Sequence, residues 1–142
     1  MYEKILLPID LNDLTTGKKG LATAAALTRT FDAELHVLSV VPSFGMSIVG
    51  GFFPEGFEEK ALAKIKLALG AFMDAELPAD IEAVGHVAHG SIYEEILHAS
   101  KSLGCDLIVI GAHRPELKDY LLGPNAARVV RHAPQSVMVV RD

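Results

Sequence analysis

"DLIVIGAHRPELKDYLLGPNAARVV", residues 106–130, is the stretch on which the fold turns. A short run of branched aliphatic residues ends at Gly111, and a run of that length between turn signals reads as a buried strand. Gly111 itself permits a tight turn and a close backbone approach. A polar and charged loop follows. Gly123, Pro124 and Asn125 then read as the start of a helix, because proline fits the first helical position, where its N–H is not needed and its fixed φ is already helical. Strand, loop and helix make one βα unit, and the same alternation extends along the whole chain.

Upstream, "KILLPI" (4–9), "ELHVLSVV" (34–41) and "IEAVGHVAH" (81–89) are short apolar runs, and "SVMVVR" (136–141) is another downstream. With "DLIVIG" (106–111) they predict five strands. Helical patterns lie between them. Residues 14–30 place Leu14, Gly17, Leu21, Ala24, Ala25 and Thr28 on one face, with Asn12 or Asp13 available as the cap. Residues 55–77 repeat Phe57, Ala61, Leu62, Ile65, Leu69, Phe72 and Met73 at helical spacing and leave Glu58, Glu59, Lys60, Lys64 and Lys66 for solvent. Residues 92–103, through Ile92, Ile96, Leu97, Ser100 and Leu103, and 125–133, through Ala126, Val129, Val130 and Ala133, complete the series. Strands that are apolar on both faces and alternate with helices belong to a parallel sheet covered on two sides with right-handed crossovers. The predicted fold is a single doubly wound, Rossmann-like α/β domain over residues 1–142, with a five-stranded parallel sheet and helices on both faces.

Composition narrows the function classes. A chain of 142 residues that is 50% hydrophobic suits one domain with its own core. Its net charge of −5, with Lys and Arg scattered, argues against tracking a nucleic-acid backbone and against docking on an anionic membrane. No stretch is apolar for long enough to insert in a bilayer, and "ILLPI" is too short and too closely flanked by acid for a secretory signal, so a cytoplasmic location is expected. Cys105, the one cysteine, reads as a buried structural thiol.

In sheets of this kind ligands bind beyond the carboxyl ends of the strands, where strand order reverses. The residues there are "PIDLND", "VVPS", "AHGS" and "GAHRPELK". Asp10 either accepts hydrogen bonds from a ribose hydroxyl or a base amino group, or, like Asp13, caps the first helix. The helix beginning near Gly123 offers free amides and positive dipole charge to an anion, with Arg114 and Lys118 in the preceding loop; the same glycines also serve as ordinary turns. There is no Walker-type phosphate loop, no zinc spacing and no nucleophile–base pair, which leaves His113 as the one candidate base and catalysis weakly supported. The six histidines read as surface or packing residues: His86 and His89 face opposite sides of a strand, and His36, His98, His113 and His132 fall on different elements. The long segment "PSFGMSIVGGFFPEG" (42–56) is rich in apolar side chains and is either packed locally, a lid or a docking surface. The last strand, if at the sheet edge, would pair with a second copy.

Taken together, "KILLPID", "HVLSVVP", "HGSIYEEILHAS", "CDLIVIGAHR" and "YLLGPNAARVVRHAPQSVMVV" resemble the universal stress protein family across essentially the whole chain. The resemblance implies a doubly wound α/β fold, a homodimer, and, in one branch of the family, ATP binding through a G-x2-G-x9-G-[ST] pattern after the fourth strand. Gly111 matches the first glycine and Gly123 the last, Arg114 stands where the middle glycine is expected, the interval is one residue shorter, and Pro124 replaces the Ser or Thr. Carried over residue by residue, Pro8, Ile9 and Asp10 would meet adenosine, Val40 would border the base, and Gly111, His113, Arg114, Gly123, Pro124 and Asn125 would surround ribose and phosphates. Pro124 has neither N–H nor hydroxyl to give a phosphate oxygen, and Arg114 would compensate with its planar charged fork. The implied function is a stress-response regulator that senses an adenine nucleotide (ATP, ADP or AMP, the ATP with Mg) as a dimer paired through the C-terminal strand. It would act on a client protein such as a transporter; the alternatives are a nucleotide-free dimeric scaffold and a slow ATPase or self-modifying enzyme. A phosphoacceptor receiver domain is ruled out, because "AHGS" and the chain end stand where its acceptor Asp and its Lys are required.

Overall fold

The computed structural model describes residues 1–12, 14–42, 57–112 and 124–141. In chain order the elements are β1 Lys4–Ile9, α1 Leu14–Phe31, β2 Glu34–Pro42, α2 Phe57–Glu76, β3 Ala83–Gly90, α3 Ile92–Leu103, β4 Leu107–Ala112, α4 Pro124–His132 and β5 Ser136–Arg141. The strands form one parallel sheet in the order β3-β2-β1-β4-β5. The expected α/β class and element order are therefore those observed.

Two-residue periodicity explains the layers. Successive strand side chains point to opposite faces. Ile5, Leu7 and Ile9 of β1 share one face with Leu35 and Val37 of β2 and Leu107 and Val109 of β4, and there they meet Leu21, Ala24 and Ala25 of α1 and Leu69 and Phe72 of α2. Leu6, Leu38, Ile108 and Ile110 take the other face and meet Ile96 of α3 and Ala126 and Val129 of α4. Ile5, Leu6, Leu7, Leu107 and Ile108 are among the fully buried side chains, and each contributes roughly 1.5–3 kcal/mol of apolar burial. A strand that is apolar at every position can be satisfied only between two helical layers, which is why this pattern excludes a one-sided sheet.

The termini of the elements differ from expectation in small, local ways. α4 includes Pro124, as a helix with proline at its first position should. Val130, expected on its inner face, is 44% exposed; Ala126 and Val129 take the buried positions of this short helix and Val130 falls at the margin of the stripe. β3 starts at Ala83 rather than at residue 81, and Ile81 is buried just ahead of it. β4 runs on to Ala112, so Gly111 is paired with Val140 inside the strand rather than making a turn. α3 stops at Gly104, whose φ of 72° is the left-handed C-cap conformation that glycine adopts without strain.

Asp106, between α3 and β4, joins the amino ends of β1 and β4. Its carboxylate accepts backbone N–H bonds from Glu3 (2.9 Å to Oδ2) and Lys4 (3.0 Å to Oδ1). Burial pushes its pKa up, but the Glu3 and Lys4 amides outweigh that and leave it below the ordinary carboxylate range. Cys105 beside it is 6% exposed, and burial pushes its thiol up to about 11, as suits a packing residue rather than a nucleophile.

Candidate functional site

The strand order reverses at β1, which has β2 on one side and β4 on the other. β1 and β2 are in register through six pairs, from Lys4↔Glu34 to Ile9↔Ser39. The β1–β4 register runs through Ile5↔Leu107 and Leu6↔Ile108 and goes no further. A cavity of about 370 Å³ opens at the carboxyl end of this pair, within the size range of small-molecule sites.

Its walls come from several elements. Pro8, Ile9 and Asp10 contribute from β1 and the turn after it, Leu38 and Val40 from β2, and Gly111 and Ala112 from the end of β4. Pro124, Asn125 and Ala126 bring the first turn of α4 to the same space. Pro8, Ile9, Asp10, Val40, Gly111, Pro124 and Asn125 thus line one cavity. His113, Arg114 and Gly123 lie outside the described residues, as do Lys118, Asp13 and residues 43–56.

Sequence reasoning had not placed Ile92 and Ile96 in the wall, nor Gly17 and Gly20 of α1, nor Asn12. The signal for the α3 residues lies in the "HGSI" turn. Gly90 has φ 141°, and a Cβ at that position would come within 2.9 Å of Glu95 Oε1, so only glycine makes this turn without strain. Ser91 then stands at the N-cap and Ile92 opens the helix over the crevice.

Asp10 Oδ1 accepts the backbone N–H of Asn12 at 2.8 Å. This is an Asx turn, which aims the chain toward α1 while the carboxylate stays at the cavity. Among the described residues Oδ2 has no hydrogen bond, and Asp10 is exposed. The lining is otherwise largely apolar. α4 carries no acidic residue in its first turn, so among the described residues of that helix none opposes the positive end of its dipole, and its first available amides are those of Asn125 and Ala126 because Pro124 has none. A largely apolar cavity lined also by one carboxylate and the first turn of a helix offers surface to a flat ring, an acceptor to a hydroxyl or amino group, and amides to an anion.

A family profile described as the universal stress protein family matches residues 1–141. The chain belongs to the universal stress protein family. Universal stress protein G of Shigella flexneri is 31% identical over 147 aligned residues, which cover 99% of this chain and 100% of that relative. Among solved structures, that of hypothetical protein MJ0577 is similar with a TM-score of 0.79 at 24% identity, over 100% of this chain and 97% of the other. A universal stress protein in complex with cAMP matches with a TM-score of 0.67 at 20% identity, over 99% and 97% of the two chains. The universal stress protein from Archaeoglobus fulgidus in complex with dAMP matches with a TM-score of 0.65 at 18% identity, over 97% of each. These likenesses show that this universal stress protein shares the family's fold. Among its described residues no group of three or more His, Cys, Asp or Glu is placed to hold a metal ion, and no helix is long and apolar enough to cross a membrane.

Proposed function

We propose that this universal stress protein binds an adenine nucleotide in the β1–β4 crevice and works as a nucleotide-sensing regulator. The observation that carries the reading is the convergence of Asp10, Val40 and the first turn of α4 on one cavity at the reversal of strand order. The base would lie against Val40, Pro8 and Ile9, Asp10 would accept from a ribose hydroxyl or the base amino group, and the anionic end would face Gly111, Pro124 and Asn125. His113, Arg114 and Gly123 are proposed to complete the phosphate end. The relatives solved with cAMP and dAMP support an adenine nucleotide as the ligand class. ATP, ADP and AMP are the candidates, and ATP would bring Mg held largely by its own phosphates.

The regulator is proposed to act in the cytoplasm as a homodimer on a client protein such as a transporter. β5 supports the dimer: it is an edge of the sheet, six residues long, with Met138 39% exposed, and two such edges can pair about a twofold axis. Calorimetric titration of ligand-stripped protein with ATP, ADP and AMP at millimolar concentration tests the central reading. Heat that saturates with at least one of them is expected; no binding of any of the three would overturn it.

A further inference from the structure

None of the residues at the amino end of the β2–β3 pair lines the crevice, yet they form a polar chain across three strands. His36 Nδ1 lies 2.9 Å from His86 Nε2. The two rings stack with centroids 5.1 Å apart and planes inclined by 27°. On its other side His36 Nε2 is 3.3 Å from Glu34 Oε2, and Lys4 Nζ is 3.8 Å from the same oxygen. His36 is buried and His86 half-buried, on the sheet face that α3 covers, since His36 alternates with Leu38 of that core.

The tautomers follow from these contacts. Glu34 accepts from His36 Nε2–H, so neutral His36 has a bare Nδ1, and His86 must donate its Nε2–H to it. One added proton leaves an N–H between the rings whichever imidazole takes it, and the bond persists. A second proton puts hydrogens on both His36 Nδ1 and His86 Nε2, facing each other across the same gap. The hydrogen bond is then lost and two positive charges meet. We propose that the His36–His86 pair is a proton-operated latch on the β3 edge of the sheet, closed with no proton or one added and open with two.

Among the described residues β3 pairs with β2 alone, so none of the described strands holds its other side when the latch opens. The surrounding charges set the threshold without replacing the mechanism. Glu34 on β2 faces His36 at 3.3 Å, and Lys4 on β1 lies 3.8 Å from the same Glu34 oxygen. α3, which covers this face, carries Glu94, Glu95, His98 and Lys101; burial first and the His36 charge second hold His86 below the ordinary imidazole range. From the other face of the sheet, Lys66 of α2 shares a shallow hollow with His86 at the strand edge.

With a depressed folded pKa, the stabilisation is complete above the unfolded imidazole range of about 6.5 and is lost as pH falls through the folded value. The test is imidazole NMR titration of the ligand-free full chain, with amide hydrogen exchange followed in parallel, so the outcome does not depend on nucleotide binding. Two coupled steps are expected at the pair, with the protection of β3 amides falling about tenfold relative to β4 for each unit by which the second step is depressed. His86→Gln keeps an amide donor for neutral His36 and an acceptor for charged His36, and should abolish that fall. The proposal is overturned if both imidazoles of the unaltered chain titrate as independent single steps in the ordinary range. It is equally overturned if His86→Gln shows the same loss of β3 protection.

Discussion

Asp10 and Asp106 both flank strands of the central β1–β4 pair, and their hydrogen bonds reach different distances along the chain. Asp106 accepts backbone N–H bonds from Glu3 and Lys4 and joins the two strands at their amino ends. Asp10, at the carboxyl end of the same pair, accepts one bond from Asn12, inside its own turn. Beside Asp106, which bridges to the amides of a second strand, the strands are in register; toward Asp10, among the described residues bonded only within its own turn, the register has stopped and a cavity has opened. A carboxylate's partners, rather than its position beside a strand, separate one that ties two strands together from one that lines a cavity.

The comparison is broken most severely at its middle. Ile108 is the last β4 residue in register with β1 and is fully buried; Ile108→Ala is expected to lower unfolding free energy by about 2–5 kcal/mol, measurable by urea denaturation. Asp106→Ala leaves the amides of Glu3 and Lys4 without their acceptor and should cost roughly 1–3 kcal/mol. Because the folded pKa of Asp106 is depressed, the unaltered protein keeps this contribution above the unfolded carboxylate range and loses it as pH falls through the folded value. The Ala variant should show a flatter stability profile across that acid window, and an identical slope would mean that the carboxylate does not hold the strands.

Asp10→Ala should do the reverse: nucleotide affinity falls about tenfold or more, as for loss of one charged hydrogen bond, while the thermal midpoint of the free protein stays near that of the parent. A large drop in midpoint with unchanged affinity would exchange the roles given to the two aspartates. The smallest effect is expected at Pro124→Ser, which restores an N–H and a hydroxyl at the start of α4. ATP should tighten severalfold and AMP less, in line with one or two added donors to an outer phosphate. Equal changes for both would place position 124 away from the phosphates.

Much of this was legible in the residue order. "KILLPI" and "DLIVIG" are apolar at nearly every position, and no one-sided sheet can bury both sets, so two helical layers follow from periodicity alone. Asp10 and Pro124 were recognisable as candidates because strand ends and helix starts are positions with a fixed chemical meaning. The cavity's α3 wall was not recognisable, since Ile92 and Ile96 read as core residues of an amphipathic helix wherever that helix docks. The histidine pair was hidden for a stronger reason. His36 and His86 are 50 residues apart and meet only because β2 and β3 pair in a register that sets Leu38 opposite His86.

The sequence by itself determined the layers, the element order and the residues available at each strand end, because these depend on spacing within a few residues. Only the tertiary structure decided that β1 and β4 stay in register for two pairs and then leave a crevice, that Asp106 holds amides of another strand while Asp10 holds one of its own turn, and that two distant imidazoles share one hydrogen bond. Those outcomes depend on relative placement of segments far apart in the chain, which local pattern does not encode.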